Sequence, residues 1–245
     1  MKTKLKLFTL IFCLLSSLSV LAQYDFQVPE EMPINNGELE WLTFKDDVGE
    51  AKLSKKELIL KSKKKSTFYG VKLVKPTMTY AKVPLNMNGD FYLSITLKPN
   101  KIDNETMFGI PFNVANEGDY NVIAFDKQFC YFLRVQYMNG VCMISGDKDR
   151  IRYKYTKKDK GMWTISIERH NGGDYIVSLN GMEVRTIPRN LVFPLPAIGL
   201  FATNKAEIKA THVAYEQLAA PSENQNTQTP TNVLQLLQGV SIQPL

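Results

Sequence analysis

Histidine and cysteine are scarce. The 245 residues hold two histidines and three cysteines, too few for a zinc site of the usual His and Cys spacing. A nucleophilic triad would have to be built on His170 or His212. His170 stands in the turn His170-Asn171-Gly172-Gly173-Asp174, where a solvated role is expected. His212 alternates with Ile208, Ala210 and Ala214, where a structural role is expected. Long apolar runs are missing after residue 22, and a membrane helix needs about 20 consecutive apolar residues. Helical periodicity is nearly absent as well. Neither charge sign dominates: 30 Lys and Arg face 24 Asp and Glu, a net charge of +6. That falls to +3 if Lys2, Lys4 and Lys6 leave with a leader, so no nucleic-acid partner is expected. What is plentiful is apolar: 44% hydrophobic and 11% aromatic residues exclude a disordered or collagen-like chain and suffice for a large core.

The amino terminus has the form of a secretory signal peptide. Lys2, Lys4 and Lys6 precede an apolar run from Leu7 to Leu15, then serines, then Val20-Leu21-Ala22 before Gln23. Small residues at Val20 and Ala22 suit cleavage after Ala22, and the run is too short and too broken by serines for an anchor. Cys13 lies inside the apolar run rather than at its end, which disfavours a lipoprotein. The mature protein is therefore expected in the periplasm or beyond, where disulfides form.

Only Cys130 and Cys142 remain there. Phe129 to Gln136 reads as a strand, Asn139-Gly140 as a two-residue turn and Val141 to Ser145 as the return strand, which places Cys142 opposite Tyr137. Cys130 then lies roughly 23 Å further along the partner strand, and on its opposite face. A disulfide needs Cα atoms within about 7 Å, so two unbridged thiols are expected.

Short alternating runs fill Tyr24 to Leu218. Trp163, Ile165 and Ile167 alternate with Thr164, Ser166 and Glu168, as a half-buried strand requires. After the turn at His170, Tyr175, Val177 and Leu179 alternate, and Asn180-Gly181 suits a type I′ hairpin. A two-residue loop there would pair Leu179 with Met182, Val177 with Val184 and Tyr175 with Thr186. Further strands are expected at Leu58 to Lys61, Phe68 to Leu73, Phe91 to Leu97, Tyr120 to Phe125, Arg150 to Tyr155, Ala197 to Ala202 and Ile208 to Tyr215. About a dozen short antiparallel strands fit one all-β sandwich over residues 23–218. Two small domains would need a linker, and none is visible. Residues 219–245 form a polar tail with one acid, Glu223, and no Lys or Arg. Within it Thr231 can cap a short helix that puts Val233, Leu234, Leu236, Leu237 and Val240 on roughly one face. Such a helix is too short to stand alone, so docking on the domain or on a protein partner would be needed to order it.

The order Gly161-Met-Trp-Thr-Ile-Ser-Ile-Glu-Arg, a glycine-rich turn, Tyr-Ile-Val-Ser-Leu-Asn-Gly-Met-Glu-Val, then Ala197-Ile-Gly-Leu-Phe-Ala202 and His212-Val-Ala-Tyr215 resembles the concanavalin A-like lectin and glucanase superfamily. It is similar to secreted laminin G-like or 3-keto-disaccharide hydrolase-like bacterial domains. The resemblance covers residues 160–218 in motif and 40–160 in strand rhythm. It implies a jelly-roll β-sandwich in which Trp163, Asn180, Gly181 and Gly199 serve folding, and a connection to carbohydrate. Glucanases of that superfamily carry a Glu-x-Asp-x-Glu strand that supplies the two carboxylates of a retaining mechanism. Here the nearest approach is Glu117-Gly-Asp119-Tyr-Asn121, with Asn in place of the second glutamate, so no catalytic residue is assigned.

If Leu133, Val135, Ile151, Tyr153, Ile165 and Ile167 point into the core, alternation throws Arg134, Gln136, Arg152, Lys154, Ser166 and Glu168 to the other side. Were those strands adjacent, they would form a polar face suited to sugar hydroxyls. Arg134, Gln136, Arg152 and Glu168 are therefore the candidate glycan contacts. Trp41, before Leu42 and Phe44, reads as core rather than as a stacking platform. Asp46-Asp47 and Asp147-Lys-Asp149 offer oxygen ligands of the kind calcium takes, without the density of an EF-hand loop, so no cofactor and no metal site is assigned. The lysines at 61 and 63–65 and at 157, 158 and 160 read as solvated hairpin ends. The expected function is a secreted, non-catalytic module that binds carbohydrate or an envelope glycan. Its alternatives are a divergent glycoside-processing hydrolase, which needs a carboxylate pair in one cleft, and an envelope assembly protein, which would work through the tail.

Overall fold

The computed structural model describes residues 28–64, 76–100, 106–138, 141–146, 151–153, 161–192 and 195–219. The expected strand at Phe68 to Leu73, half of that at Arg150 to Tyr155, the second lysine run, Asp147, Asp149 and the tail from residue 220 lie outside them. Two antiparallel sheets stack face to face. The first contains β1 (Met32–Pro33), β2 (Phe44–Lys45), β3 (Gly49–Leu53), β4 (Leu58–Ser62), β6 (Phe91–Asn100), β12 (Trp163–Arg169), β13 (Tyr175–Leu179), β14 (Met182–Ile187) and β16 (Glu207–Gln217). Its order is β14-β13-β12-β6-β16-β4-β3-β2, with β1 beside β16. The second contains β5 (Thr77–Lys82), β7 (Phe108–Asn116), β8 (Asp119–Phe125), β9 (Phe129–Met138), β10 (Val141–Gly146), β11 (Ile151–Arg152) and β15 (Ala197–Ala202), in the order β10-β9-β8-β7-β15-β5 with β11 beside β9. The last two strands, β15 and β16, each enter the interior of a different sheet. This is a jelly-roll β-sandwich, as the resemblance implied.

Between the sheets lies one core. Trp163, Ile165 and Ile167 of the first sheet meet Phe108, Phe125 and Tyr153 of the second, with the indole edge-on to Phe108 at 4.8 Å, Phe125 at 5.7 Å and Tyr153 at 5.8 Å. Trp41 is core as expected, and its Nε1–H donates to the Ile34 carbonyl at 2.9 Å.

The hairpin at Asn180-Gly181 forms, with both residues at positive φ (51° and 76°). Leu179 pairs with Met182 as expected, but a bulge between Val177 and Ser178 then shifts the register. Val177 faces Arg185 instead of Val184, and Tyr175 faces Ile187 instead of Thr186. The extra residue turns Arg185 inward, where its Nη1–H donates across the sandwich to the Cys130 carbonyl at 3.4 Å. Alternation alone has no signal for such an insertion.

A second correction concerns faces. Phe132 and Cys130, not Leu133 and Val135, point between the sheets. Leu133 and Val135 lie on the outer side of the second sheet, in a separate cluster with Met78, Val114, Tyr120, Val122, Ala124, Cys142, Ala197 and Phe201. The second sheet is thus apolar on both sides. Cys142 pairs with Tyr137, as read from the turn, and Cys130 sits on the opposite face; neither thiol is bridged. Burial pushes the Cys130 thiol up to about 12, the nearby Arg185 partly opposing this. Because the folded state holds that proton more tightly than the unfolded chain, the associated stability is complete below pH 9 and declines from there towards pH 12. Between pH 9 and 10 the wild type should lose about 1 kcal/mol more than Cys130→Ala, read from urea midpoints. Equal losses would contradict the assignment.

Candidate functional site

The two candidate strands of the sequence reading are not neighbours: β9 belongs to the second sheet and β12 to the first. The four candidate contacts are therefore split. Arg134 and Gln136 share one face of β9. Arg152 lies opposite Phe129 at the other end of β9, its guanidinium 5.8 Å from that ring. Glu168 stands on the outer face of the first sheet, where Oε2 lies 3.3 Å from His170 Nε2, so His170 is tied to a carboxylate rather than simply solvated.

That outer face is polar. Its rows run Thr164-Thr96-His212, Ser178-Ser166-Ser94 and Glu168-Tyr92 across β13, β12, β6 and β16. The Thr96 and Thr164 hydroxyls are 2.7 Å apart, and Thr96 donates to Glu31 Oε1 at 2.8 Å. These hydroxyls satisfy one another. His212 fills the structural role expected of it, its Nδ1 3.0 Å from Thr211 Oγ1.

Arg134 belongs elsewhere, to a cavity of about 380 Å³ lined by Asn113, Ala115, Asp119, Tyr120, Asn121, Arg134 and Leu195. Register builds it. Asn121 stands directly opposite Arg134, and Asp119 opposite Gln136, so Asp119 is the diagonal neighbour of Arg134. Arg134 Nε–H and Nη2–H donate to Asp119 Oδ1 and Oδ2 at 3.1 and 3.0 Å, a bidentate pair. Asn113 reaches Asn121 because β7 is bulged after Pro111, a residue that interrupts a ladder anyway.

The amide orientations follow from one backbone donor. Leu195 N–H requires an oxygen, which makes the acceptor Asn113 Oδ1 at 3.1 Å. Asn113 Nδ2 then donates to Asn121 Oδ1 at 2.7 Å. Asn121 Nδ2 is left over. Although Asn121 is only 3% exposed, this donor has no partner among the described residues, and its side chain lines the cavity. The lining charges cancel, Arg134 against Asp119.

Asp119 is the one carboxylate among the described lining residues, and it is held by a guanidinium. Glu117 lines a different, smaller hollow of about 90 Å³ with Phe44, Asp46, Val48, Pro76, Thr77 and Met78. Asn113 and Leu195 were not singled out in the sequence. Asp119 and Asn121 were visible only as a broken catalytic motif, and only the β8–β9 register reveals their partner.

Among the described residues no group of three or more His, Cys, Asp or Glu is placed to hold a metal ion. Asp46 instead accepts from the Val48 and Gly49 N–H groups at 2.8 Å each, and Asp47 pairs with Lys64. Lys61 pairs with Glu207 at 3.3 Å. Among the described residues no helix is long and apolar enough to cross a membrane.

No family model matches the chain, and no curated protein matches it. Solved structures do. The carbohydrate binding module CBM66 from Bacillus subtilis is 12% identical over 78% of this chain and 97% of that one, with a TM-score of 0.40. The galectin LEC-6 of Caenorhabditis elegans is 14% identical over 55% of this chain and 89% of that one, at 0.38. A structure described as a native glycosidic hydrolase is 14% identical over 80% of this chain and all of the other (100%), at 0.46. At these identities and TM-scores the likeness is confined to the sandwich architecture, which the strand order already establishes.

Proposed function

We propose that this chain is an exported, non-catalytic carbohydrate-binding module whose ligand enters the cavity between Asn121, Arg134 and Leu195. The leader supports export to the periplasm or beyond. One observation carries the binding reading: a buried asparagine amide aligned by a fixed hydrogen-bond chain, with its Nδ2 donor unused at a cavity wall. That donor opens to the cavity, where an arriving hydroxyl oxygen can take the place of water as its acceptor. The neighbouring carboxylate and guanidinium offer an acceptor and donors for further hydroxyls, while Ala115 and Leu195 supply apolar wall for C–H faces. Hydrolysis would need a second carboxylate at the cavity. Among the described lining residues Asp119 stands alone.

The test is a glycan array with residues 23–245, with reducing-sugar release measured on every polysaccharide bound. Binding without release is expected. Asn121→Ala should weaken it about tenfold, or ~1.4 kcal/mol, and Arg134→Ala by at least as much. Glu168→Gln, on the outer face of the other sheet, should leave affinity unchanged. If Glu168→Gln weakens binding and Asn121→Ala does not, the ligand sits on the first sheet and the cavity is the wrong site. Sugar release would overturn the non-catalytic reading.

A further inference from the structure

The cavity beside Asn121 and Arg134 is walled on one side and continues on the other. On the β7 side Leu195 is tied to the strand in both directions: its N–H donates to Asn113 Oδ1 at 3.1 Å, and its carbonyl accepts from Val114 N–H at 3.2 Å. On the other side lie β9 and the edge strand β10. Cys130 and Phe132 are the inward residues of β9 that join the core between the sheets, and alternation puts Arg134 and Gln136 next on the same side. On β10, Cys142 and Ile144 pack in the outer cluster, so Met143 and Ser145 face inward. Register then sets out two rows across three strands, Asn121-Arg134-Ser145 and Asp119-Gln136-Met143. No residue of the first sheet is among the described residues that line the cavity. The rows reach solvent: the Arg134 and Asp119 side chains are 32% and 34% exposed, and Met143 is 43% exposed.

We propose that the cavity is the closed end of a groove that runs from Leu195 across β8 and β9 to Met143, and that its ligand is a neutral oligosaccharide lying across the strands rather than a single sugar. This rests on the reading of the cavity as a carbohydrate site. Length is the first argument. From β7 to β10 is three strand spacings, about 14 Å, which is longer than one sugar ring. Chemistry is the second. Asn121, only 3% exposed and held by the bond from Asn113, makes the geometrically strict contact at the closed end. Further along, the Gln136 amide and the Ser145 hydroxyl each carry both donor and acceptor, as ring hydroxyls require. At the open end Met143 is unbranched and apolar, a side chain that adapts to the C–H face of a ring. Charge is the third. Arg134 and Asp119 hold each other in a bidentate pair, and the other members of both rows are uncharged, so a sugar carboxylate would have to displace Asp119 from Arg134. A groove of this order divides the work: Asn121 serves every ligand, whereas Gln136 and Met143 serve those long enough to reach them.

The test is isothermal titration of residues 23–245 with ladders from monosaccharide to hexasaccharide of glucose, mannose, galactose and xylose, and with hexagalacturonate as the charged counterpart. Affinity is expected to rise with length on a neutral ladder and to level off once the chain spans the groove. On that ladder Gln136→Ala and Met143→Ala should each weaken the hexasaccharide about fivefold and leave the shortest binding member unchanged. Met143→Leu should keep the hexasaccharide affinity, and Asn121→Ala should weaken short and long members alike. A monosaccharide that binds as tightly as its hexasaccharide and is lost in Asn121→Ala keeps the cavity as the site and overturns the groove. So does a rise with length that neither Gln136→Ala nor Met143→Ala alters, because the chain then leaves the cavity by another path. Tighter binding of hexagalacturonate than of every neutral hexasaccharide overturns the neutral ligand. Binding that Asn121→Ala leaves unchanged, or no binding on any ladder, overturns the cavity reading and the groove together.

Discussion

Gly199→Ala is expected to leave little folded domain. Gly199 stands in β15 opposite Tyr80 of β5, and a Cβ there would lie 1.9 Å from the Thr79 carbonyl oxygen and 2.8 Å from Tyr80 Cα. Both are backbone atoms of the adjoining strand, so no side chain can swing aside and the pair must separate. A cost above about 4 kcal/mol is exceptional for a point substitution, and this collision belongs there, against a total of roughly 5–15 kcal/mol for a domain. The control is Gly181→Ala. Gly181 has a φ of +76° but nothing within 4 Å of an added Cβ, so only backbone strain is charged, about 1 kcal/mol. Urea unfolding of both variants checks the contrast. Equal costs would mean that β15 and β5 are not packed as described.

Arg169→Met is the second large effect. The side chain is buried, and its Nε–H, Nη1–H and Nη2–H donate to the carbonyls of Gly173, Met87 and Gly172, each at 2.9 Å. Its guanidinium carbon sits 5.6 Å from the Tyr175 ring centroid. Opposite it, the Asp90 carboxylate accepts from Asn171 and Gly172 N–H at 2.6 and 2.9 Å. Together they fasten the β12–β13 turn to the segment leading into β6. Methionine preserves bulk and removes every donor; the Met87 and Gly172 carbonyls keep the Tyr175 hydroxyl at 3.2 Å and Arg189 Nη1–H at 3.3 Å, while the Gly173 carbonyl loses the Nε–H. Hydrogen bonds to charged groups contribute about 1.5–3 kcal/mol each and do not add fully, so a loss of about 3–5 kcal/mol is expected. For a domain of this size that lowers Tm by roughly 6–20 °C. Arg169→Lys should fall between, since an ammonium cannot reproduce the planar fork. A melting shift under about 2 °C for Arg169→Met would show the turn to be held by something else.

Strand existence was the most legible part of this sequence. Ala197–Ala202 is the strand read from its residues, and the others assigned within the described residues differ by at most three residues at their ends, the largest difference being Phe91–Asn100 against Phe91 to Leu97. Of the runs missed, β3 does alternate, with Glu50 and Lys52 between Gly49, Ala51 and Leu53, but β5 and β7 lack a clean polar and apolar alternation: Thr77 to Lys82 puts Met78 and Tyr80 on one side and Ala81 on the other, each side packed in a cluster. The same physics misplaced Leu133 and Val135. Where a sheet is apolar on both faces, a period of two still reveals a strand but no longer says which side is inside. The cavity was illegible for a different reason. Asn113 and Asn121 look like ordinary strand polar residues until a bulge after Pro111 brings their amides within 2.7 Å, and Arg134 gains meaning only from its cross-strand partners.

The placement of the final two strands bears on how the protein is made. β15 lies between β7 and β5, and β16 between β6 and β4, so neither sheet is continuous until residues 197–217 have been supplied. A chain emerging from its amino terminus can form the β7–β8–β9 meander early, since neighbours in sequence pair there. It cannot close the sandwich. Such a nascent chain lacks a closed core until synthesis reaches its last strands. Loss of even the final dozen residues of the domain would strip β6 of one partner and β4 of its link to the rest of the sheet, leaving separate ribbons in place of one closed core.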